Sequence, residues 1–204
     1  MSELERWEGR YAIPEYLFGE DANYFLASCK NLLPDSGKTL AVADGEGRNG
    51  VWLASLGLSV TSLDFSPTAQ EKARALAKRH DVNVEFVQGD VHNWTYPPDT
   101  YDVVVEIFTQ FSSPDERVLK WNGMKRTLKP GGLLIVQGYT PKQLDHGTGG
   151  PKKLENLYTR PLLEDMFGDF TDLNIQEEEL HMHEGEGHGG MSAVIGLTGY
   201  RPAP

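Results

Sequence analysis

Apolar runs of strand length alternate with helical patterns through the middle of the chain. Strands are predicted from Lys38, at 58–63, at 84–88, at 101–107 and at 133–136, and helices lie between them at about 48–56, from 66 to about 80 and from 113 to about 129. Ser66-Pro67 supplies an N-cap and a first-turn proline for the second of these helices. The strand at 101–107 contains an unbroken β-branched run, which is typical of a strand buried on both faces. Strands separated by helices pair in parallel, so the pattern predicts a doubly wound α/β sheet.

The end of the chain breaks this alternation. Strand patterns at 173–180 and 192–197 are joined by the glycine- and histidine-rich stretch Met182–Gly190, with no helix between them. Strands joined in this way form an antiparallel hairpin. We therefore predict a single Rossmann-like domain over residues 1–204, with an aromatic cap at 1–37, a cofactor-binding core at 38–140, and a lid loop and C-terminal hairpin at 141–204. Its sheet is predicted to be seven-stranded and mostly parallel, and to end in the hairpin.

Composition narrows the class of partner. The net charge of −11 argues against nucleic acid as the main partner, because phosphate binding needs a cationic face. The single cysteine, Cys29, excludes an internal disulfide and fits a reducing compartment. The first residues lack a secretory pattern, and no apolar run approaches the length of a membrane span. These features predict a cytoplasmic protein that binds neither nucleic acid nor membrane, and they leave its oligomeric state open.

A glycine turn follows the strand that begins at Lys38. Gly45-x-Gly47-x-x-Gly50 lets the backbone approach a ligand closely and directs the free N–H groups of the next helix toward it. Asp64, at the end of the second strand, lies where an acidic residue accepts hydrogen bonds from ribose hydroxyls. The spacing matches the dinucleotide fingerprint, so an NAD(P)-dependent oxidoreductase is one hypothesis.

Three features favour S-adenosyl-L-methionine (SAM) over a dinucleotide. Gly89-Asp90 closes the third strand, where a carboxylate can accept from an adenine amino group. The sheet is predicted to end in an antiparallel hairpin instead of a sixth parallel strand. The aromatic segment before the first strand can close over a sulfonium cation, which is attracted to ring faces.

The chain resembles the class I SAM-dependent methyltransferases over essentially its whole length. It is most similar to the small bacterial group related to the tellurite-resistance methyltransferase TehB. The matching motifs are Trp7-x-x-Arg10-Tyr11 with Phe18-Gly19, Gly45-Glu46-Gly47-Arg48-Asn49 with Leu53-Ala54-x-x-Gly57, Val60-Thr61-x-x-Asp64, Leu128-Lys129-Pro130-Gly131-Gly132, Thr148-Gly149-Gly150-Pro151, and Glu184-Gly185-x-x-His188-x-Gly190.

The resemblance implies a cofactor site. It places Gly45 and Gly47 against the methionine portion of SAM, Asp64 on the ribose, and Asp90 with Val91 beside the adenine. The other residues that we assign to this site are Ala43, Asp44, Arg48, Phe65 and Ile107.

Two residues depart from the superfamily pattern. Ala41 and Ala43 stand where an acidic residue and a glycine are usual. Without an acid at position 41, the methionine amino group would need another carboxylate, such as Asp44 or Glu46. This departure motivates a third hypothesis, a protein that binds SAM without turning it over.

The acceptor is predicted to be a small molecule above the carboxyl ends of the strands. The residues assigned to it are Trp7, Arg10, Phe108, Gln110, Phe111 and Tyr139, although each aromatic ring can equally serve packing alone. Arg10 and Arg48 could bind either the carboxylate of SAM or an anionic acceptor.

Methyl transfer is an in-line displacement that depends mainly on positioning, and it needs a base only for a protonated acceptor. We name His188 and Tyr11 as candidate catalytic residues; His188 is expected in the hairpin loop. His181 and His183 would share a strand face, but no cysteine joins them and glycine surrounds the nearby His188, so no metal site is predicted.

Overall fold

The fold is built on one twisted sheet. The protein's computed structural model describes residues 2–203, and within them the strands are Lys38–Val42 (β1), Ser59–Asp64 (β2), Val84–Gln88 (β3), Tyr101–Ile107 (β4), Leu128–Tyr139 (β5), Thr171–Glu184 (β6) and His188–Tyr200 (β7). Their order is β3-β2-β1-β4-β5-β7-β6. The first five strands pair in parallel, whereas β7 is antiparallel to both β5 and β6. The predicted seven-stranded, mostly parallel sheet with a terminal hairpin is confirmed.

Helices cover both faces of this sheet. Within residues 2–203 they are Glu3–Tyr11 (α1), Tyr24–Ser28 (α2), Arg48–Ser55 (α3), Pro67–Arg79 (α4), Pro114–Thr127 (α5), Gln143–His146 (α6) and Arg160–Phe167 (α7). Ser66 caps α4 by accepting from the Ala69 N–H, as its position before Pro67 predicts. None of the helices in this part of the chain combines the length and the apolar character that a membrane crossing demands.

Two apolar layers hold the helices to the sheet. On one face, Trp121 of α5 and Phe167 of α7 pack with sheet residues such as Val104. On the other, Leu26 of α2 and Leu53 of α3 pack with a second set of strand side chains. Burial of both faces of β4 explains its continuous apolar run.

The C-terminal hairpin is longer than predicted. Most of the predicted loop Met182–Gly190 is strand, and the turn is only residues 185–187. Glycine here permits close packing of the hairpin tip against the N-terminal segment: the Gly187 N–H donates to the Leu17 carbonyl at 2.8 Å, and an added Cβ would lie 2.4 Å from the Phe18 ring. The glycines that predicted a loop therefore mark the contact between the hairpin tip and the N-terminal segment.

Residues 129–132, which precede the predicted strand at 133–136, lie inside β5. The register of β4 against β5 jumps from Tyr101↔Leu128 to Val103↔Leu133, so these residues form a bulge. Backbone hydrogen bonds with Arg201, which lies beyond β7, hold the bulge in the sheet. A partner so distant in sequence leaves no local signal.

Candidate active site

A cavity of about 500 Å³ opens at the carboxyl ends of the parallel strands. Its floor comes from the segments that follow β1, β2, β4 and β5, and α1 lies over it. The chain leaves β1 toward β2 on one side and β4 toward β5 on the other, so the cavity lies at the switch point of the sheet. This is where open α/β sheets bind their ligands.

Most of the residues predicted for the site line this one cavity. Within residues 2–203 these are Trp7, Arg10, Tyr11, Ala43, Asp44, Gly45, Arg48, Asp64, Phe65, Ile107, Phe108, Gln110, Phe111, Tyr139 and His188. Gly47, Asp90 and Val91 are not among its lining residues.

The glycine turn presents Gly45 to the cavity and Gly47 to a helix. Gly45 has a φ of +56°, and an added Cβ would lie 2.8 Å from the Tyr11 hydroxyl. Gly47 has a φ of +84° at the start of α3, where an added Cβ would lie 2.6 Å from the Cβ of Ala73. Gly47 therefore serves the packing of α3 against α4, a role that the fingerprint alone does not distinguish from ligand contact.

Two non-glycine residues on the cavity floor have left-handed backbone conformations. Ala43, after β1, has a φ of +50°, and Phe108, after β4, has a φ of +55°. A residue held in such a region costs on the order of 1–3 kcal/mol, and these residues cluster at ligand sites. The two strands are neighbours, so the strain lies at one point of the cavity floor.

Asp64 ties the glycine turn to the end of β2. Its two carboxylate oxygens accept from the backbone N–H groups of Gly45, at 2.8 Å, and Ser66, at 2.9 Å. The side chain is buried, and this burial raises the pKa of Asp64 to about 6. The carboxylate thus faces the cavity from a position fixed by the backbone.

Asp44 and Glu46 are both engaged inside the fold. Asp44 accepts from the Ser62 hydroxyl at 2.8 Å and from the Gly50 N–H at 3.2 Å, and burial raises its pKa to about 7. Glu46 pairs with Lys72 at 2.7 Å and lies outside the cavity lining. Each carboxylate that the sequence offers in place of an acid at position 41 thus holds the turn itself together.

The raised pKa values predict how stability depends on pH. Because the pKa of Asp44 lies above its unfolded value of 3.8, the folded chain binds more protons at this group than the unfolded chain does. Its contribution is present in full below about pH 4 and is lost as the pH rises through about 7. We expect wild type to lose stability relative to Asp44→Asn, which does not titrate, between about pH 4 and about pH 7.

Urea denaturation of both proteins across this range measures the difference. Comparing the pair removes the contribution of His188, whose lowered pKa has the opposite sign. A stability difference that does not change with pH would contradict the prediction.

Aromatic rings from α1 cover the cavity. Trp7 stacks on Tyr11 with 5.5 Å between ring centroids, and its other neighbours are Phe18 and Phe111, each at 6.3 Å. Burial and the charge of Asp64 raise the pKa of Tyr11 well above its usual value. The Tyr11 hydroxyl therefore keeps its proton at neutral pH.

His188 lies in β7 and is buried, which corrects its expected place in an exposed loop. Its ring packs between Phe18, at 4.3 Å, and Phe108, at 4.4 Å. Burial, reinforced by the charge of Arg48, lowers the pKa of His188 to about 4. The imidazole is neutral at pH 7, and its buried Nδ1 has no hydrogen-bond partner within residues 2–203.

Glu184 joins three elements beside His188. Its carboxylate pairs with Arg48 of α3 at 2.7 Å and accepts from the backbone of Tyr24 at 2.9 Å and the amide of Asn23 at 3.2 Å. Burial opposes its ionisation, but contacts with His188, Arg48 and Tyr24 outweigh burial and lower the pKa of Glu184 to about 2. The sequence motif contained Glu184, yet its role depends on partners more than 130 positions away.

The segment after β4 is held by side-chain to backbone bonds. Gln110 accepts from the Tyr139 N–H at 2.5 Å and donates to the Tyr139 carbonyl at 2.9 Å. Asn156, which sequence analysis missed, also lines the cavity. Its side-chain amide donates to the Gln110 carbonyl, and its own carbonyl accepts from the side-chain amide of Gln110. Gln110 thus positions the wall and has its amide group committed to that task.

Asp90 and Val91 line a smaller cavity of about 150 Å³ next to the main one. The two cavities share the lining residues Glu3, Ala43, Phe65 and Phe111, so they adjoin. Asp90 accepts from the His92 N–H at 2.9 Å.

The two histidines of β6 lie on the protein surface. His181 and His183 have ring centroids 4.7 Å apart. Across residues 2–203, no cluster of three or more His, Cys, Asp or Glu side chains is arranged to hold a metal ion.

Comparison with known proteins is consistent with this geometry. Residues 40–132 match the family model of a methyltransferase domain. Demethylmenaquinone methyltransferase from Clavibacter sepedonicus is 29% identical over 119 residues, which are 58% of this chain and 48% of that protein. The chain thus spans about half the length of the curated relatives that it matches.

Solved structures match over more of the chain. A SAM-dependent methyltransferase from Methanosarcina mazei aligns with a TM-score of 0.72 and 19% identity, covering 90% of this chain and 100% of that one. TehB from Haemophilus influenzae aligns with a TM-score of 0.68 and 19% identity, covering 87% of this chain and 61% of that one. Residues 40–132 therefore carry the methyltransferase-domain pattern, and the chain has the fold of the class I SAM-dependent methyltransferases.

Proposed function

We propose that the protein transfers a methyl group from SAM to a small-molecule acceptor. The observation that carries this proposal is the convergence of Gly45, Asp64 and the aromatic cover of α1 on one cavity at the switch point of the sheet. The family match of residues 40–132 supports the same reaction class. The likeness to TehB supports a finer assignment to the TehB-related group.

The cavity residues suit the parts of the cofactor. Gly45 leaves room for the methionine portion, and the Asp64 carboxylate can accept from ribose hydroxyls. Asp90 and Val91, in the adjoining cavity, would lie beside the adenine. The rings of Trp7 and Tyr11 offer faces that attract a sulfonium cation.

SAM, when bound, would supply an electrophilic methyl group whose leaving sulfur keeps the electron pair of the bond that is broken. The chain's part is to exclude water with its aromatic cover and to hold the acceptor in line. His188, neutral at pH 7, can accept a hydrogen bond from an acceptor that arrives protonated.

The sheet argues against the dinucleotide hypothesis. A dinucleotide-binding fold continues with a sixth parallel strand, whereas the strand next to β5 here is the antiparallel β7. SAM binding without turnover remains the second hypothesis. It is favoured by the engagement of Asp44 and Glu46 within the fold, which uses part of the hydrogen-bonding capacity of both carboxylates.

Calorimetry separates the three hypotheses. We expect S-adenosylhomocysteine (SAH) and SAM to bind with one site per chain, and NADH to give no signal under the same conditions. Failure of SAH to bind at millimolar concentration would contradict the proposal. Methyl transfer to a thiol, selenite or tellurite, lost in Asp64→Ala, would exclude a protein that binds without turnover.

A further inference from the structure

We propose that Arg10, with the side-chain donors of Trp7 and Tyr139, forms an anion-binding subsite in the cavity, and that the methyl acceptor carries a carboxylate or another oxyanion. This inference rests on the proposed methyl transfer and adds the chemical class of the substrate. It commits to one of the two roles that the sequence left open for Arg10.

Arg10 is a cation without a protein counterion. Its guanidinium lies 4.6 Å from the centroid of the Trp7 ring and 5.4 Å from that of Phe18, and no ion pair within residues 2–203 includes it. The other two arginines of the cavity lining are paired, Arg6 with Glu3 and Arg48 with Glu184. Burial lowers the pKa of Arg10, so its charge lacks part of its hydration, and an anion from outside the chain would compensate.

Two neutral donors in the same cavity also lack partners. Trp7 Nε1 and the Tyr139 hydroxyl are buried and make no hydrogen bond of normal geometry within residues 2–203, although Ser192 lies close enough to the phenol to influence its pKa. Tyr139 is 2% exposed, and burial raises its pKa well above the usual value, so its hydroxyl keeps the proton. Buried polar groups are rarely left unpaired in folded proteins. An oxygen-rich ligand would satisfy an indole N–H, a phenol O–H and a guanidinium together.

The position of these donors favours the methyl acceptor, and not the cofactor, as the source of the bound anion. The Phe18 ring beneath Arg10 packs on His188, which packs on Phe108 after β4 and Tyr139 in β5. The charge of Arg10 also lowers the pKa values of both Tyr139 and His188. Asp64, assigned to the cofactor's ribose, closes β2 on the other side of β1. Arg10 therefore reaches the β4, β5 and β7 side of the cavity, in addition to its nearer neighbours Tyr11 and Glu46.

Two lysines at the rim of the cavity add to the positive charge of Arg10. Lys152 and Lys153 are exposed on the loop that borders it, in a chain whose net charge is −11. A local excess of positive charge attracts anionic ligands and raises their rate of association.

The test compares two probes of the same shape and different charge. Benzoate and benzamide are titrated by calorimetry into protein saturated with SAH. We expect benzoate to bind wild type at least about tenfold more tightly than benzamide, as charge-assisted bonds to a guanidinium imply. Arg10→Leu should reduce the preference to less than about twofold, and Arg10→Lys should keep part of it because it keeps the charge.

Arg79→Leu is the matched control. Arg79, at the end of α4, is paired with Glu20 and does not line the cavity, so its loss should leave the preference for benzoate in place. An equal effect of the two substitutions would overturn the proposal, because it would show a general effect of charge. Equal binding of benzoate and benzamide to wild type, no binding of either, or a preference that survives in Arg10→Leu would also overturn it.

A second pair of ligands shows whether Arg10 binds an anionic methyl acceptor or the carboxylate of SAM. SAH has a carboxylate, and 5′-methylthioadenosine has the same nucleoside without the amino-acid portion. We expect Arg10→Leu to change the affinity for both by less than about twofold. If it weakens SAH alone by about tenfold or more, Arg10 binds the cofactor and the proposal fails. If wild type binds no SAH, the methyl transfer itself is refuted, and the two failures are thereby distinguished.

Discussion

Replacing Lys120 by methionine is expected to lower the free energy of unfolding by about 3–5 kcal/mol. Lys120 and Glu106 form an ion pair of 2.6 Å in which both side chains are 0% exposed. Removal of the ammonium leaves a buried carboxylate without its countercharge, which is far more costly than the loss of an exposed pair. Urea denaturation measures the change.

The effect extends to the cavity wall. Lys120 also donates to the Thr109 carbonyl at 3.0 Å, and Thr109 lies between two residues that line the cavity. Glu106 accepts in addition from the Trp121 indole at 2.8 Å and the Tyr158 hydroxyl at 3.0 Å. The pair thus joins α5 to the end of β4, and we expect the variant to bind SAH less tightly as well.

Two controls interpret the loss. Lys125, which is also on α5, forms an ion pair with Asp169 in which the two side chains are 26% and 57% exposed. Lys125→Met breaks this pair and should cost no more than about 1 kcal/mol. Adding Glu106→Gln to Lys120→Met removes the orphaned charge and should recover part of the stability. A loss below about 1 kcal/mol in Lys120→Met would show that the buried pair is not needed for stability.

The second large effect is expected on cofactor binding. Asp64→Asn should raise the dissociation constant for SAH on the order of 100-fold, or about 2.7 kcal/mol. Both Asp64 oxygens accept from backbone N–H groups, so an amide group in place of either oxygen faces the donor of Gly45 or Ser66. The glycine turn must then shift, and the ribose loses an anionic acceptor.

The dissociation constant for SAH is measured by calorimetry, at a temperature where circular dichroism shows that the variant is folded. Asp102→Asn is the matched control, since Asp102 pairs with Lys129 near the amino-terminal ends of the parallel strands, opposite the cavity, and should leave SAH affinity within about threefold of wild type. An Asp64→Asn protein that binds SAH within about fivefold of wild type would remove Asp64 from the cofactor site.

The sheet and the cavity floor could be predicted because their signals are local. Ser66-Pro67 marks a helix start within two residues, and the run after Tyr101 marks a buried strand without reference to any other part of the chain. The glycine turn and Asp64 follow neighbouring parallel strands, so topology alone brings them together.

The rest of the site could not be predicted because its causes are distant in sequence. Glu184 acquires its role from Asn23, Tyr24 and Arg48, and the bulge in β5 from Arg201. His188 is rich in glycine neighbours, which suggests exposure, yet packing against Phe18 buries it. Gly47 matches the fingerprint, but it is glycine because α3 packs closely against Ala73 of α4, and this contact is visible only in the structure.

The placement of β7 between β5 and β6 has a consequence for synthesis on the ribosome. β6 emerges first but has no neighbour in the sheet until β7 is translated and inserted beside it. The glycine turn and Asp64 are complete more than a hundred residues earlier, whereas His188 arrives with β7. A growing polypeptide therefore completes the wall of the cavity only once β7 has been translated.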